Sequence, residues 1–271
     1  MKQRLLRFMI YLSAFLTFAS LFLIIAFIFI QGLPSLRWDL FSWQYTAENV
    51  SLMPAIVTTV IVVVLSLVIV TPIGVFTGFY LVEYAKRESK WVEIIRLAAD
   101  TLAGIPSIVY GLFGMLFFVI FLGFQYSILA GVFTSAIMVL PIIIRSTEEG
   151  LLGVPDSLRQ ASFGLGAGKL RTIFKVVLPV AMPSILSGII LSVGRIIGET
   201  AALMYTLGTA ANMPNGIFSS SRTLALHMYV LSSEGLHVPE AFATGVVLIV
   251  LVMVINLLTT RISKRIVRGE G

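Results

Sequence analysis

The sequence predicts an all-α integral membrane protein with about six transmembrane helices, organised as one domain over residues 1–271. The chain is 58% hydrophobic and only 12% charged, which is too apolar for a soluble domain. Several apolar runs reach the roughly 18 to 20 residues that a helix needs to cross a hydrocarbon core of about 30 Å. Lys and Arg are concentrated in alternate loops, as they are in membrane proteins of fixed orientation.

The third and fourth of the six expected spans are separated only by the short link 123–127. A single apolar rod of their combined length would exceed any bilayer, so they are expected to form a helical hairpin. The segment that follows them, 145–180, is polar enough to leave the membrane. The expected spans are residues 8–30, 54–82, 104–124, 127–144, 181–207 and 241–260.

The basic residues predict the orientation of the chain. Sixteen of the 19 Lys and Arg residues fall on one side, Arg37 and Arg222 fall on the other, and Arg195 lies inside a span. Because cytoplasmic loops retain positive charge, both termini are expected in the cytoplasm. The net charge of +6 follows from this arrangement at the lipid boundary and does not require nucleic acid. The absence of cysteine excludes disulfides and thiolate metal sites.

The first apolar run follows a positively charged start, as in a signal peptide. It is about 23 residues long, however, and no small-x-small cleavage site follows it. It is therefore expected to remain as the first helix.

Several single residues carry local expectations. Pro72 and Pro106 are expected to bend their helices, because proline lacks a backbone donor and clashes with the preceding turn. His227 and His237, in the outer loop 208–240, are expected to be solvated rather than metal ligands. Asn256, in the last span, is expected to contact a neighbouring helix.

The segment 145–180 has a helical pattern on the cytoplasmic side. Pro155 and Asp156 are a favourable helix start, and glycines at 164, 166 and 168 can end that helix. A second, amphipathic stretch from residue 170 then leads back to the membrane. Seven residues within the segment have a distinctive spacing: Gln160, Ala161, Ser162, Gly166, Val176, Leu178 and Pro179.

This spacing resembles the E-A-A-x3-G-x9-I-x-L-P loop of bacterial ABC importer permeases. The chain departs from it at Gln160, Ser162 and Val176, and only the first departure changes a charge. The resemblance implies an ABC importer permease fold, with a coupling helix from about Asp156 to Gly164 that docks into a groove of a cytoplasmic ATPase subunit. A stand-alone anion channel or carrier remains an alternative, but it would have no need of this loop.

Three further stretches resemble phosphate-transport permeases of the PstA and PstC type, and the compact N-terminus is closer to PstA. The resemblance implies a second, PstC-like permease subunit, two PstB-like ATPase subunits that bind ATP and Mg, a PstS-like external phosphate-binding protein and a surrounding membrane lipid phase. It implies the bacterial inner membrane as the location and no bond chemistry in this chain. A permease for sulfate or molybdate remains open. The stretches are 71–84, 103–111 and 194–201.

Arg195 and Glu199 are charged residues within the fifth expected span. A charge at the bilayer centre costs about 2.5–3.5 kcal/mol on insertion scales, so such residues usually have a function or a partner. Four residues apart on a helix, they would share one face with Ser192. Arginine fits phosphate oxygens, so the three are expected to line a substrate pathway. The alternative is an internal ion pair that only fixes helix packing.

Overall fold

The computed structural model describes residues 2–85 and 89–268. Its helices are α1 (Lys2–Gly32), α2 (Met53–Phe79), α3 (Lys90–Gly104), α4 (Ser107–Gly114), α5 (Ile128–Leu152), α6 (Asp156–Gly164), α7 (Lys169–Thr172), α8 (Leu178–Ile197), α9 (Ala201–Met204), α10 (Leu224–Glu234) and α11 (Val238–Arg268).

Three π-helical turns are continuous with these helices. Tyr80–Tyr84 continues α2, Met115–Phe121 continues α4, and Ile173–Val177 joins α7 to α8. Short 3-10 turns at Leu33–Ser35 and Trp38–Phe41 follow α1. The all-helical prediction is confirmed for the described residues.

Five helical segments are long and apolar enough to cross a membrane, and the bent α3–α4 pair makes a sixth candidate span. The hairpin prediction is also confirmed, since α4 and its extension end at Phe121 and α5 begins at Ile128. The break between α3 and α4 bends the chain by 104° around Ile105 and Pro106. Pro72, in contrast, lies inside α2, which continues to Phe79.

The fourth and fifth predicted spans end at other residues than expected. The fourth was expected to stop at residue 144, but α5 continues to Leu152, where Thr147 and Leu151 are buried and Arg145 and Glu148 pair with Asp100 and Arg96 of α3. The fifth was expected to run without a break to residue 207. Instead α8 ends at Ile197, and residues 198–200 separate it from the short helix α9.

Helices α2, α5 and α8 form the centre of the bundle. Glycines allow their backbones to approach: a methyl group on Gly74 would meet Ile143 of α5 at 2.7 Å, and one on Gly150 would meet Ser184 of α8 at the same distance. The buried residues of the central cluster include Val63, Val139, Ile143 and Val193. This packing fixes α8, which carries Arg195, against α5.

Candidate functional site

Arg195 faces a cavity of about 480 Å³ that opens between α3, α4, α5, α8 and α11. The α3–α4 bend supplies Leu102, Ile105 and Tyr110 to its wall, and α11 supplies Asn256. The Tyr110 hydroxyl donates a 2.6 Å hydrogen bond to the Leu102 carbonyl, which holds the ring in place across the bend. The bend therefore creates space beside the membrane-embedded arginine.

The electrostatics of this cavity favour an anion. Its other walls are mainly apolar side chains such as Met138, Ile142 and Leu191, and the Arg195 side chain is exposed to the open space. Among the described residues, no carboxylate lies within 4.0 Å of the Arg195 guanidinium. A permanently charged group in such surroundings is stabilised by any anion that enters.

The structure places Arg195, Glu199 and Ser192 in different environments. Glu199 follows the end of α8, is only 6% exposed, and accepts a 3.0 Å hydrogen bond from the Ala202 backbone at the start of α9. The buried Ser192 hydroxyl donates to the Gly188 carbonyl at 2.8 Å. The cavity lining includes neither residue. The single continuous helical face was wrong because α8 ends before Glu199.

Asn256 has a position that was not predicted from the sequence. It was expected to contact a neighbouring helix, and it also lies in the wall of the cavity that contains Arg195. Its Oδ1 is buried without a hydrogen-bond partner among the described residues. The sequence does show a single amide side chain within the apolar helix α11. A polar side chain in a membrane span usually has a function or a partner, so this amide could have indicated a functional role.

The second candidate site is the segment around α6, whose predicted bounds are confirmed. Asp156 begins the helix directly after Pro155, and Gly164 ends it. Gly166 has a φ of +80° and donates to the Phe163 carbonyl, while Ala167 donates to the Ser162 carbonyl. This is a Schellman ending, in which a left-handed glycine reverses the chain.

The residues of the expected coupling motif occupy two environments. Gln160 and Ala161 are exposed on α6, whereas Ser162 is buried and its hydroxyl bonds Thr172 of α7 at 2.8 Å. Leu178 and Pro179 begin α8, and Leu178 packs against a buried cluster that also contains Phe79. Of the motif residues, Gln160, Ala161 and Gly166 are therefore presented outward.

Apolar side chains also point outward beside these residues. Leu165 is 90% exposed, Leu170 is 62% exposed, and Phe163 and Leu158 are also exposed. Exposed leucines close to a polar helix are typical of a surface that another protein covers.

His227 is buried, which corrects the expectation of a solvated histidine. Its ring packs edge-on against Tyr45 at 6.2 Å, and the buried Arg222 lies over the same tyrosine at 5.0 Å. His237 is partly exposed, 3.8 Å from Glu240. Among the described residues, no group of three His, Asp or Glu side chains could hold a metal ion.

We expect the stability of the segment around α10 to depend on His227 and on pH. Burial and the Arg222 charge lower the pKa of His227 to about 3, so the folded protein keeps it neutral. In the unfolded chain the imidazole gains a proton below pH 6.5, and stability is therefore lost as pH falls through that value. Between pH 7 and pH 5, the wild type should lose about 2 kcal/mol relative to His227→Phe. Thermal unfolding of the two proteins in detergent measures this difference.

His237→Phe is the control, because it removes a partly exposed histidine and keeps His227, so the loss of stability between pH 7 and pH 5 should persist in it. The same pH dependence in His227→Phe and the wild type would contradict the buried, neutral histidine.

Chains of two solved ABC transporters have a similar fold. An alginate ABC transporter in complex with its alginate-bound periplasmic protein matches with a TM-score of 0.63 and 14% identity, covering 94% of this chain and 96% of the other. The inward-facing MetNI methionine ABC transporter matches with a TM-score of 0.58 and 21% identity, covering 81% and 94%. These likenesses show that the chain has a fold found in chains of solved ABC transporters.

Residues 70–269 match the family model described as "binding-protein-dependent transport system inner membrane component". The chain therefore belongs to this family and is a multi-pass inner membrane protein. Among its relatives, the probable ABC transporter permease YqgI of Bacillus subtilis is 36% identical over 71% of each chain. The phosphate transport system permease PstA of Pasteurella multocida is 35% identical over 76% of this chain and 74% of its own. PstA of Mycobacterium leprae is 37% identical over 72% of this chain and 64% of its own.

Proposed function

We propose that this chain is a permease subunit of an ATP-driven importer of inorganic phosphate and that it forms half of the translocation pathway. The observation that carries the proposal is the Arg195 guanidinium, which faces an open cavity at membrane depth. Planar N–H donors fit two oxygens of a tetrahedral oxyanion. The similarity to phosphate transport permeases supports phosphate as that anion.

The chain itself supplies a path and performs no bond chemistry. In the assembly that we propose, a second PstC-like permease forms the other half of the path, and a PstS-like external protein delivers phosphate. Two PstB-like ATPase subunits bind ATP and Mg in the cytoplasm. The exposed residues of α6, with Gln160 and Ala161 among them, dock on one of these subunits.

Transport then follows from two arrangements of the same bundle. ATP-driven closure of the ATPase pair displaces α6, and the helices that pack on it shift with it. The cavity around Arg195 opens outward and receives the anion. Hydrolysis and nucleotide release restore the inward-facing arrangement.

Sulfate or molybdate is the second candidate substrate, because a guanidinium recognises any tetrahedral oxyanion. Radiolabelled phosphate uptake by the reconstituted complex separates the two readings. We expect ATP-dependent uptake that a tenfold excess of unlabelled phosphate suppresses and the same excess of sulfate or molybdate leaves unchanged. Uptake without ATP would contradict the importer, and suppression by sulfate alone would contradict phosphate as the substrate.

The proposed orientation gives a prediction for labelling from each side of the membrane. The chain contains no cysteine, so single cysteines report without background. Cysteines introduced at Ser89 and at the exposed Ser157 of α6 should react only with a reagent supplied from the cytoplasm. One at the exposed Asn215 should react only from outside. Reaction of the positions 157 and 215 from the same side would contradict the orientation and the number of crossings between them.

A further inference from the structure

One guanidinium in the cytoplasmic segment joins three helices. Arg159 lies on α6, and its side chain is only 14% exposed. It donates five hydrogen bonds, and two of these go to carbonyls at the end of α5, Val154 at 2.7 Å and Leu151 at 2.9 Å. A third reaches Asp156 of its own helix at 3.2 Å.

The two remaining hydrogen bonds reach α2. The Nε and Nη2 atoms of Arg159 lie 3.1 Å and 2.8 Å from the same oxygen of Glu83. Glu83 is on the π-helical turn Tyr80–Tyr84, and its side chain is only 10% exposed. Lys169 at the start of α7 adds a second contact, with its ammonium 4.4 Å from the centre of the Tyr84 ring.

These polar contacts differ in kind from the apolar packing at the same place. Phe79 of α2 packs with Leu151 and Ile173, but apolar contacts have no preferred direction and tolerate sliding. A planar guanidinium that donates five hydrogen bonds to four acceptor atoms has a fixed orientation, and separating a buried charge from its partner is strongly destabilising. A displacement of α6 is therefore passed on to Glu83 with little loss.

We propose that Arg159 is the positioning residue that transmits displacement of α6 to the inner end of α2 through Glu83. This inference rests on the proposed coupling function, and it names the residues through which the displacement of α6 reaches α2. The ATPase moves α6, Arg159 moves the π-helical turn, and α2 moves with it, together with the end of α5 to which Arg159 also donates. Neither Arg159 nor Glu83 contacts the anion in this scheme.

The test compares Arg159→Gln, Glu83→Gln and the double variant in the reconstituted complex. We expect ATPase subunits to co-purify normally with all three and to hydrolyse ATP, while phosphate moved per ATP hydrolysed falls about tenfold. Because the two residues act as a unit, the double variant should be no worse than the poorer single variant. Arg159→Lys, which keeps the charge and loses the planar fork, should give an intermediate ratio.

Arg171→Gln is the matched control, since it removes the same charge from an exposed position on α7. It should keep the wild-type ratio of phosphate to ATP. A wild-type ratio in Arg159→Gln would overturn the proposal, as would a loss of thermal stability and assembly with an unchanged ratio in the complexes that remain. Failure of the proposed function gives a different result, namely no ATP-dependent uptake by the wild-type complex.

Discussion

Arg195→Gln is expected to abolish most phosphate uptake while the complex still assembles and hydrolyses ATP. The neutral amide keeps part of the hydrogen bonding and loses the charge that attracts an anion into the cavity. Hydrogen bonds to charged groups contribute about 1.5–3 kcal/mol, so uptake should fall at least tenfold. Radiolabelled phosphate uptake by reconstituted complex, with ATP hydrolysis and thermal stability measured in parallel, gives the result.

Glu199→Gln is the matched control for this prediction. Because Glu199 accepts a hydrogen bond from the Ala202 backbone, and a glutamine oxygen can also accept it, the variant should fold and transport nearly as the wild type does. The double variant Arg195→Gln with Glu199→Gln should transport as poorly as Arg195→Gln alone. Uptake restored in the double variant would mean that the two charges brace the bundle as an ion pair and that Arg195 has no direct role with the substrate.

Gly166→Ile is expected to separate the permease from its ATPase or to uncouple hydrolysis from uptake. At a φ of +80°, an L-residue costs roughly 1–2 kcal/mol, and a β-branched one costs more. The cost is relieved if the Schellman ending opens, which moves α6 and the exposed Leu165 out of place. Co-purification of ATPase subunits and phosphate uptake are the two measurements.

Gly166→Asn distinguishes backbone strain at this position from steric obstruction of the docking surface by an added side chain. Asparagine adopts the left-handed conformation far more readily than isoleucine does, so this variant should retain most assembly and uptake. Full assembly and uptake in Gly166→Ile would show that the turn after α6 is not part of the coupling element.

Local chemistry explains why α6 could be predicted to the residue. Its start depends on Pro155 and Asp156, its ending on a glycine at positive φ, and both signals lie within a few residues of the helix ends. The end of α5 could not be predicted in this way. Arg145 and Glu148 appeared to mark the membrane boundary, but the helix continues through them, with Thr147 and Leu151 buried and the two charges paired with Asp100 and Arg96. Those partners lie more than 40 residues earlier in the chain.

The same limit applies to the candidate substrate site. Sequence identified Arg195 from the rarity of charge within a span. It could not show that the chain leaves the helix at 198–200, because Gly198 and Thr200 are common within membrane helices. It also could not place Asn256 opposite Arg195, since that neighbour comes from α11 and depends on how the bundle closes.

The position of α1 has a consequence for the order in which the bundle is built. No residue of its most apolar stretch is buried within the chain, and its packing partner is α11, which Phe27 meets edge-on at Phe242, 5.6 Å between ring centres. A ribosome makes α11 about 200 residues after α1. Helix α1 must therefore remain undocked in the lipid while α2, α5 and α8 assemble, and it joins the bundle only when α11 has been synthesised.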